Sequence, residues 1–332
     1  FRSLHHDPDG GRYGNPAEMG AALAAAASET GIALTLLPVF YAQGGFGGQA
    51  AGHGQRRFLN DVAGFADLLD ASLAAVAALP DAVVGIAPHS LRAVTPDQLA
   101  ALVPLAAGAP IHIHIAEQVK EVEDCLDWSG ARPVQWLLDH ADVSPQWCAV
   151  HATHMSDDET RPLAASGAVA GLCPITEANL GDGLFPAPEW LAAGGAFGVG
   201  SDSNVLIDAG EELRLLEYGQ RLAHRGRNLL SPGPGQSTGG ALFRGALAGG
   251  AQALGAQSGI AVGNSADLFT LSADDPRLSG AGGDAILDGF AFAGARPDRV
   301  WRRGVEMVAN GRHRARDAIS DRYRKVLAKL IA

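Results

Sequence analysis

The stretch Pro110-Ile111-His112-Ile113-His114-Ile115-Ala116-Glu117-Gln118 concentrates groups that can do chemistry. Isoleucine and histidine alternate with period two, so in a strand the isoleucines share one face and His112 and His114 the other. Glu117 stands at an odd offset from His114, and both reach one point only if the strand ends near Ala116. A histidine at a strand tip with a carboxylic acid in the next turn pairs a metal ligand with a proton donor. On its own the segment fits equally a buried strand whose histidines are merely hydrogen-bonded.

The rest of the chain repeats the arrangement. Polar groups follow apolar runs at His5-His6, His89-Ser90-Leu91-Arg92, His151-Ala152-Thr153-His154, Pro174 to Asn179 and Ser201-Asp202-Ser203-Asn204. An unpartnered polar group inside a protein costs stability, so packing alone explains one such strand end more readily than all of them. Serine hydrolysis is unsupported, since Gly200-Ser201-Asp202 is not G-x-S-x-G. Cys125, Cys148 and Cys173 are an odd number without CxxC spacing, which points to a reducing compartment and no disulfide framework.

These groups need elements to hold them. Asn15-Pro16 reads as the start of an Ala-rich helix ending at Gly31, and Ile32 to Phe40 as a strand buried on both faces. The glycine-rich segment 44–50 contains Gly45, Gly47 and Ala50 in a G-x-G-x-x-A match; no helix opens there, and a mobile loop over a pocket is expected. A helix from Val62 to Leu79 and a strand from Val83 to Ala87 follow. Thr95 with Gln98, and Ser156 with Glu159, are capping boxes, and Asp208 caps a helix reaching Arg225. Strands at Cys148–His151, Ala168–Cys173 and Phe197–Gly200 complete an alternation that means a parallel sheet with right-handed crossovers. Catalytic groups at the C-terminal ends of such strands are the layout of a TIM barrel. Beyond Ala266 short strands are expected at 267–271, Ala285-Ile286-Leu287, and 300–308 with an Asn310-Gly311 turn, then a helix from Asp317 to Ile331.

Size and charge set bounds. The chain has 332 residues, is 47% hydrophobic and 18% charged, and can bury a large core. A formal net charge of −11 argues against nucleic acid or an anionic membrane as partner. No apolar run is long enough to span a bilayer, and a cytoplasmic location is expected.

Three motifs carry a resemblance. The order His114, Glu117, His151 and Ser-Asp-Ser at Asp202 resembles the single-metal deaminase branch of the amidohydrolase superfamily. Within that branch, residues 87–92 (APHSLR), 112–118 (HIHIAEQ) and 171–183 (GLCPITEANLGDG) are similar to the formimidoylglutamate deiminase family, over about His5 to His313. The resemblance implies a TIM (β/α)8 barrel of the metal-dependent hydrolase type over residues 1–260, a small β-domain portion over 261–316 and a C-terminal helix over 317–332. It implies one zinc ion, with His114 and Asp202 as ligands and Glu117, His151 and Asp202 as catalytic residues. Glu117 would shuttle the proton, His151 would bond the metal water, and Asp202 would accept its proton. His89 and Arg92 would hold the substrate, the planar guanidinium suiting a carboxylate. The implied reaction is hydrolytic deimination of N-formimidoyl-L-glutamate to N-formyl-L-glutamate and ammonia in histidine degradation. The expected partner is a small molecule, with a homodimer for the full-length protein.

Departures from the family pattern accompany this. The superfamily takes two further ligands from an H-x-H at the end of its first strand; the expectation is that strand and ligands lie upstream of Phe1. His5-His6 cannot replace them, because neighbours on a strand face opposite ways. Where the family has a tyrosine, this chain has Arg2-Ser3-Leu4. Two other readings stay open: a deaminase acting on a ring amidine, and an inactive fragment that lacks the H-x-H ligands. Unpaired edges on the flanking strands would then promote self-association. His112 is expected to be a hydrogen-bonded interior histidine, His53, His140, His224 and His313 surface or loop residues, and His154 solvent-facing. Thr176, Glu177 and Asn179 are expected to shape the pocket.

Overall fold

The computed structural model describes residues 4–203 and 205–331. Parallel strands form one body of it. In chain order they are β1 (Thr35–Leu36), β2 (Val39–Phe40), β3 (Val83–Val84), β4 (Ala87–Pro88), β5 (Ile111–Ile115), β6 (Trp147–His151), β7 (Val169–Leu172) and β8 (Ala196–Val199). β1 pairs with β3 and β2 with β4, while β5, β6, β7 and β8 run side by side. Parallel bridges from Ile86 to Ile111 and from Ser90 to His114 join the β3/β4 segment to β5. The apolar run 32–40 is therefore strand in two pieces rather than one, interrupted at Leu37-Pro38, where proline removes a ladder donor.

Alternation along β5 places its isoleucines as the sequence requires. Ile111, Ile113 and Ile115 are each at most 1% exposed and join the main apolar cluster with Leu99, Leu102, Val134 and Leu137 from the covering helices. The opposite face of the sheet carries a smaller cluster of Cys148, Val150, Val169, Cys173 and Ala253.

Helix starts follow their caps. Thr95 and Gln98 exchange side-chain and backbone bonds, as do Ser156 and Glu159, and the Asp208 carboxylate accepts from the Glu211 amide. The first helix runs Glu18–Thr30 and ends on Gly31 at φ +75; Asn15 caps the turn before it instead. The Val62–Val76 helix stops short of the expected Leu79.

A helix at Thr238–Ala253 lies against β8 so closely that a Cβ on Gly249 would sit 2.1 Å from the Phe197 carbonyl oxygen. Five glycines in this segment weaken its intrinsic helicity. They also permit the approach.

The second body is an antiparallel sheet in the order β12 (Arg312–His313), β11 (Val305–Ala309), β10 (Pro297–Arg302), β9 (Leu268–Leu271). Asn310 and Gly311 both adopt positive φ in the β11–β12 turn, as a type I′ hairpin needs. Residues 285–287 are not strand. They open a helix, Ala285–Phe292, whose Phe290 meets Phe243 and Phe269 in edge and tilted ring contacts joining the two bodies. The last helix spans Arg316–Ile331. No helix among the described residues is long and apolar enough to cross a membrane.

Candidate active site

The expected tip of β5 is where the structure turns. β5 ends at Ile115, Ala116 takes φ +49, and Glu117 comes back over the strand end. His114 is fixed by a 2.7 Å contact between Nδ1 and the His89 carbonyl oxygen, which leaves Nε2 uncommitted to that bond. Burial, then the neighbouring His89, hold its pKa well below the usual histidine value, so the ring is the neutral form that binds metals.

His151 ends β6. Its ring stacks on His114 with centroids 5.7 Å apart. His151 Nδ1 is 3.2 Å from Glu177 Oε1, and its Nε2 is 3.7 Å from Glu117 Oε1. Burial alone would lower the pKa of His151; the Glu177 hydrogen bond and the charges of Glu117, Glu177 and Asp202 outweigh it and raise the value. Glu177 is anchored in turn by the Cys173 amide at 2.9 Å.

Arg92 follows β4, and its guanidinium lies 3.6 Å from Glu117 and 3.8 Å from Glu121. The His89 ring lies 4.8 Å from that of His114. Asp202 follows β8 at φ +36. Left-handed backbone at Ala116, His151, Ala152 and Asp202 recurs at the ends of β5, β6 and β8. The structure thus gathers His89, Arg92, His114, Glu117, His151 and Asp202 at one end of the parallel strands.

Other residues fall elsewhere. His112 Nε2 bonds the Ala253 carbonyl oxygen at 2.7 Å and is buried. His154 is not solvent-facing: it is half-buried, with Nε2 2.6 Å from the Asp182 carbonyl oxygen, because the loops after β6 and β7 close on each other there. His313 is likewise half-buried, bonding the Thr30 carbonyl oxygen, while His53, His140 and His224 are exposed. His5 and His6 face one another at 2.8 Å between Nδ1 atoms and lie on no strand. Arg2-Ser3 and Asn204 lie outside the described residues. Thr176 bonds Ser203, so it ties the β7 and β8 loops together.

The glycine loop opens no helix. Gly44 donates to Gln49, and Phe46 stacks on Trp128 at 5.5 Å, pinning it beside a groove of about 550 Å³ that reaches Arg92.

Glu121 is the participant that residue patterns did not single out. An acid in the first turn of a helix reads as a complement to the helix dipole. Here it is 1% exposed and accepts from the Ala116 and Glu117 amides at 3.1 and 3.0 Å. His151, Cys173 and Glu177 offer donor atoms within 4.8 Å of one another, but His151 Nδ1 and Glu177 are already bonded to each other there. Burial keeps Cys173 protonated, its pKa pushed up strongly.

Comparisons with known proteins give the family. A model described as the amidohydrolase family matches residues 17–306. The chain is 50% identical over its whole length to a formimidoylglutamate deiminase of Pseudomonas aeruginosa, covering 74% of that protein. The crystal structure of an amidohydrolase from Brucella melitensis superposes with a TM-score of 0.95 at 56% identity, over 99% of this chain and 73% of that one. An adenosine deaminase from Xanthomonas campestris with bound zinc shares the fold, with a TM-score of 0.75 at 21% identity over 93% of this chain and 70% of that one. The chain belongs to the amidohydrolase family.

Proposed function

We propose that this protein is a metal-dependent hydrolase that converts N-formimidoyl-L-glutamate and water to N-formyl-L-glutamate and ammonia. The observation that carries the reading is Arg92, a guanidinium placed within 3.6 Å of Glu117 at the mouth of a histidine–carboxylate cluster. A substrate bearing carboxylates needs such a cation, and a neutral ring does not. The 50% identity to the Pseudomonas deiminase supports the same substrate.

His114 and Asp202 would hold the metal, and the neutral, singly committed imidazole of His114 suits that part. Zinc is the metal this donor set favours, and the related adenosine deaminase was crystallised with it. A bound metal of this kind supplies hydroxide at neutral pH. Asp202 would take the proton from the attacking water and His151 would orient that water. Oxygen adds to the formimino carbon, and the bond from that carbon to its terminal nitrogen breaks. Glu117 would deliver the proton with which that nitrogen leaves as ammonia. His89 and Arg92 would hold the carboxylate end.

At the level of fold, the proposal is a (β/α)8 barrel to about residue 260 with a small β-domain over 261–316; the parallel order of β1 to β8 and the Brucella likeness support it. A homodimer acting on a small molecule completes the picture. Ammonia release from N-formimidoyl-L-glutamate, measured beside adenine and a triazine, tests the function. Preference for a neutral ring would establish the competing ring-deaminase reading.

A further inference from the structure

Resting on that reading, we propose that Glu121 is a positioning residue that aims both Glu117 and Arg92. Its two carboxylate oxygens have separate tasks. Oε1 accepts from Ala116 N at 3.1 Å, and Oε2 from Glu117 N at 3.0 Å, so one side chain fixes the turn that carries Glu117. Oε2 is also 3.8 Å from the Arg92 guanidinium.

A cap alone would not call for this arrangement. Ser, Thr or Asn can satisfy backbone amides at a helix start without bringing a buried charge. Glu121 is 1% exposed, and burying a carboxylate is unfavourable unless it is paired and hydrogen-bonded. Burial and the Glu117 charge raise its pKa, and the Arg92 charge and the two amides oppose that rise without cancelling it. A full carboxylate is what a guanidinium requires opposite it.

Arg92 is held without being saturated. Both of its carboxylate neighbours stand beyond hydrogen-bond distance, and its buried Nε has no partner among the described residues. The fork therefore keeps donors unused for an incoming carboxylate. With Glu117 as its sole anion it would close onto the proton carrier. Glu121 divides the attraction, keeping Glu117 available and the guanidinium directed toward substrate.

The test uses metal-loaded wild type, Glu121→Gln and Glu121→Asp, with N-formimidoyl-L-glutamate and with N-butylformamidine, which has no carboxylate. Glu121→Gln is expected to lower kcat on both substrates by up to about a hundredfold, as displaced catalytic groups do. KM should rise, by roughly tenfold, for the carboxylated substrate alone. Glu121→Asp retains the charge but reaches only one amide, so kcat should fall while KM stays near wild type. It decides the matter by itself if Glu121→Gln does not fold. Hydrogen exchange at the Ala116 and Glu117 amides should quicken in either variant, whatever the substrate. Unchanged kcat per folded protein, unchanged exchange, or a loss of active fraction with both KM values intact would overturn the proposal. Wild-type turnover of N-butylformamidine without N-formimidoyl-L-glutamate would overturn the substrate reading instead, and the kcat arm would still judge Glu121.

Discussion

Glu117 faces a cation on one side and an imidazole on the other, within 3.6 Å of Arg92 and 3.7 Å of His151. In the proposed mechanism Glu117 gains and loses a proton each cycle between these two neighbours. Glu117→Gln retains the shape but carries no acid, so kcat should fall on the order of 10²–10⁴-fold with metal content kept. His114→Ala should lose the metal; equal metal loss in both variants would remove Glu117 from the proton path. Behind His151, Glu177 sets the sign of a pH effect. The raised pKa of His151 means that folding favours its protonated form. That contribution is fully present below the unfolded value near 6.5 and is lost as pH climbs through the higher folded value. Glu177→Gln should therefore cost thermal stability at pH 6 and progressively less toward pH 9, measured on metal-free protein. A deficit that grows with pH would contradict this. The spacing of His114 and Glu117 made their shared place at the tip of β5 legible in the sequence. The contacts that Glu121 and Glu177 make were not, because an acid inside a helical turn has the same local signature whether it faces water or a buried amide.

Elements were legible where local chemistry and tertiary packing agree. Capping residues at Thr95, Ser156 and Asp208 marked real helix starts. Ala285-Ile286-Leu287 is a short apolar run, and periodicity cannot tell helix from strand over three residues. The Thr238–Ala253 helix is the opposite case: propensity opposes it and contact with β8 sustains it. Its adjacent glycines separate these two effects. Gly249→Ala puts a methyl against the Phe197 backbone and should destabilise by about 1–3 kcal/mol or more. Gly250→Ala meets nothing within 4 Å and should stabilise by up to about 1 kcal/mol. Urea midpoints of the two variants moving in the same direction would rule out backbone approach as the cause.

Over the whole molecule, negative charge and an open sheet edge act against each other. The net charge of −11 makes copies of the chain repel one another at long range. Among the described residues β9 ends the antiparallel sheet, and it borders an apolar groove of about 800 Å³ lined by Phe243, Leu247, Ile260 and Leu268. Unpaired edges beside apolar surface favour association, more so when salt screens the charge. Leu268→Lys should reduce salt-dependent light scattering without altering the far-ultraviolet spectrum. Equal scattering by variant and wild type would place the association elsewhere. Neither the groove nor the edge could be read from the sequence, since both depend on which strand happens to end the sheet.

The left-handed residue at the tip of β5 bears on how durability and turnover were balanced. Alanine at φ +49 costs roughly 1–2 kcal/mol that glycine would not. Ala116→Gly is thus a substitution by which the fold could become more heat-resistant, even after allowing for the looser unfolded chain. It would also loosen the turn that carries Glu117. A variant with a higher melting temperature and slower ammonia release would show that this position trades endurance for rate. A variant improved in both would show that alanine is there for neither.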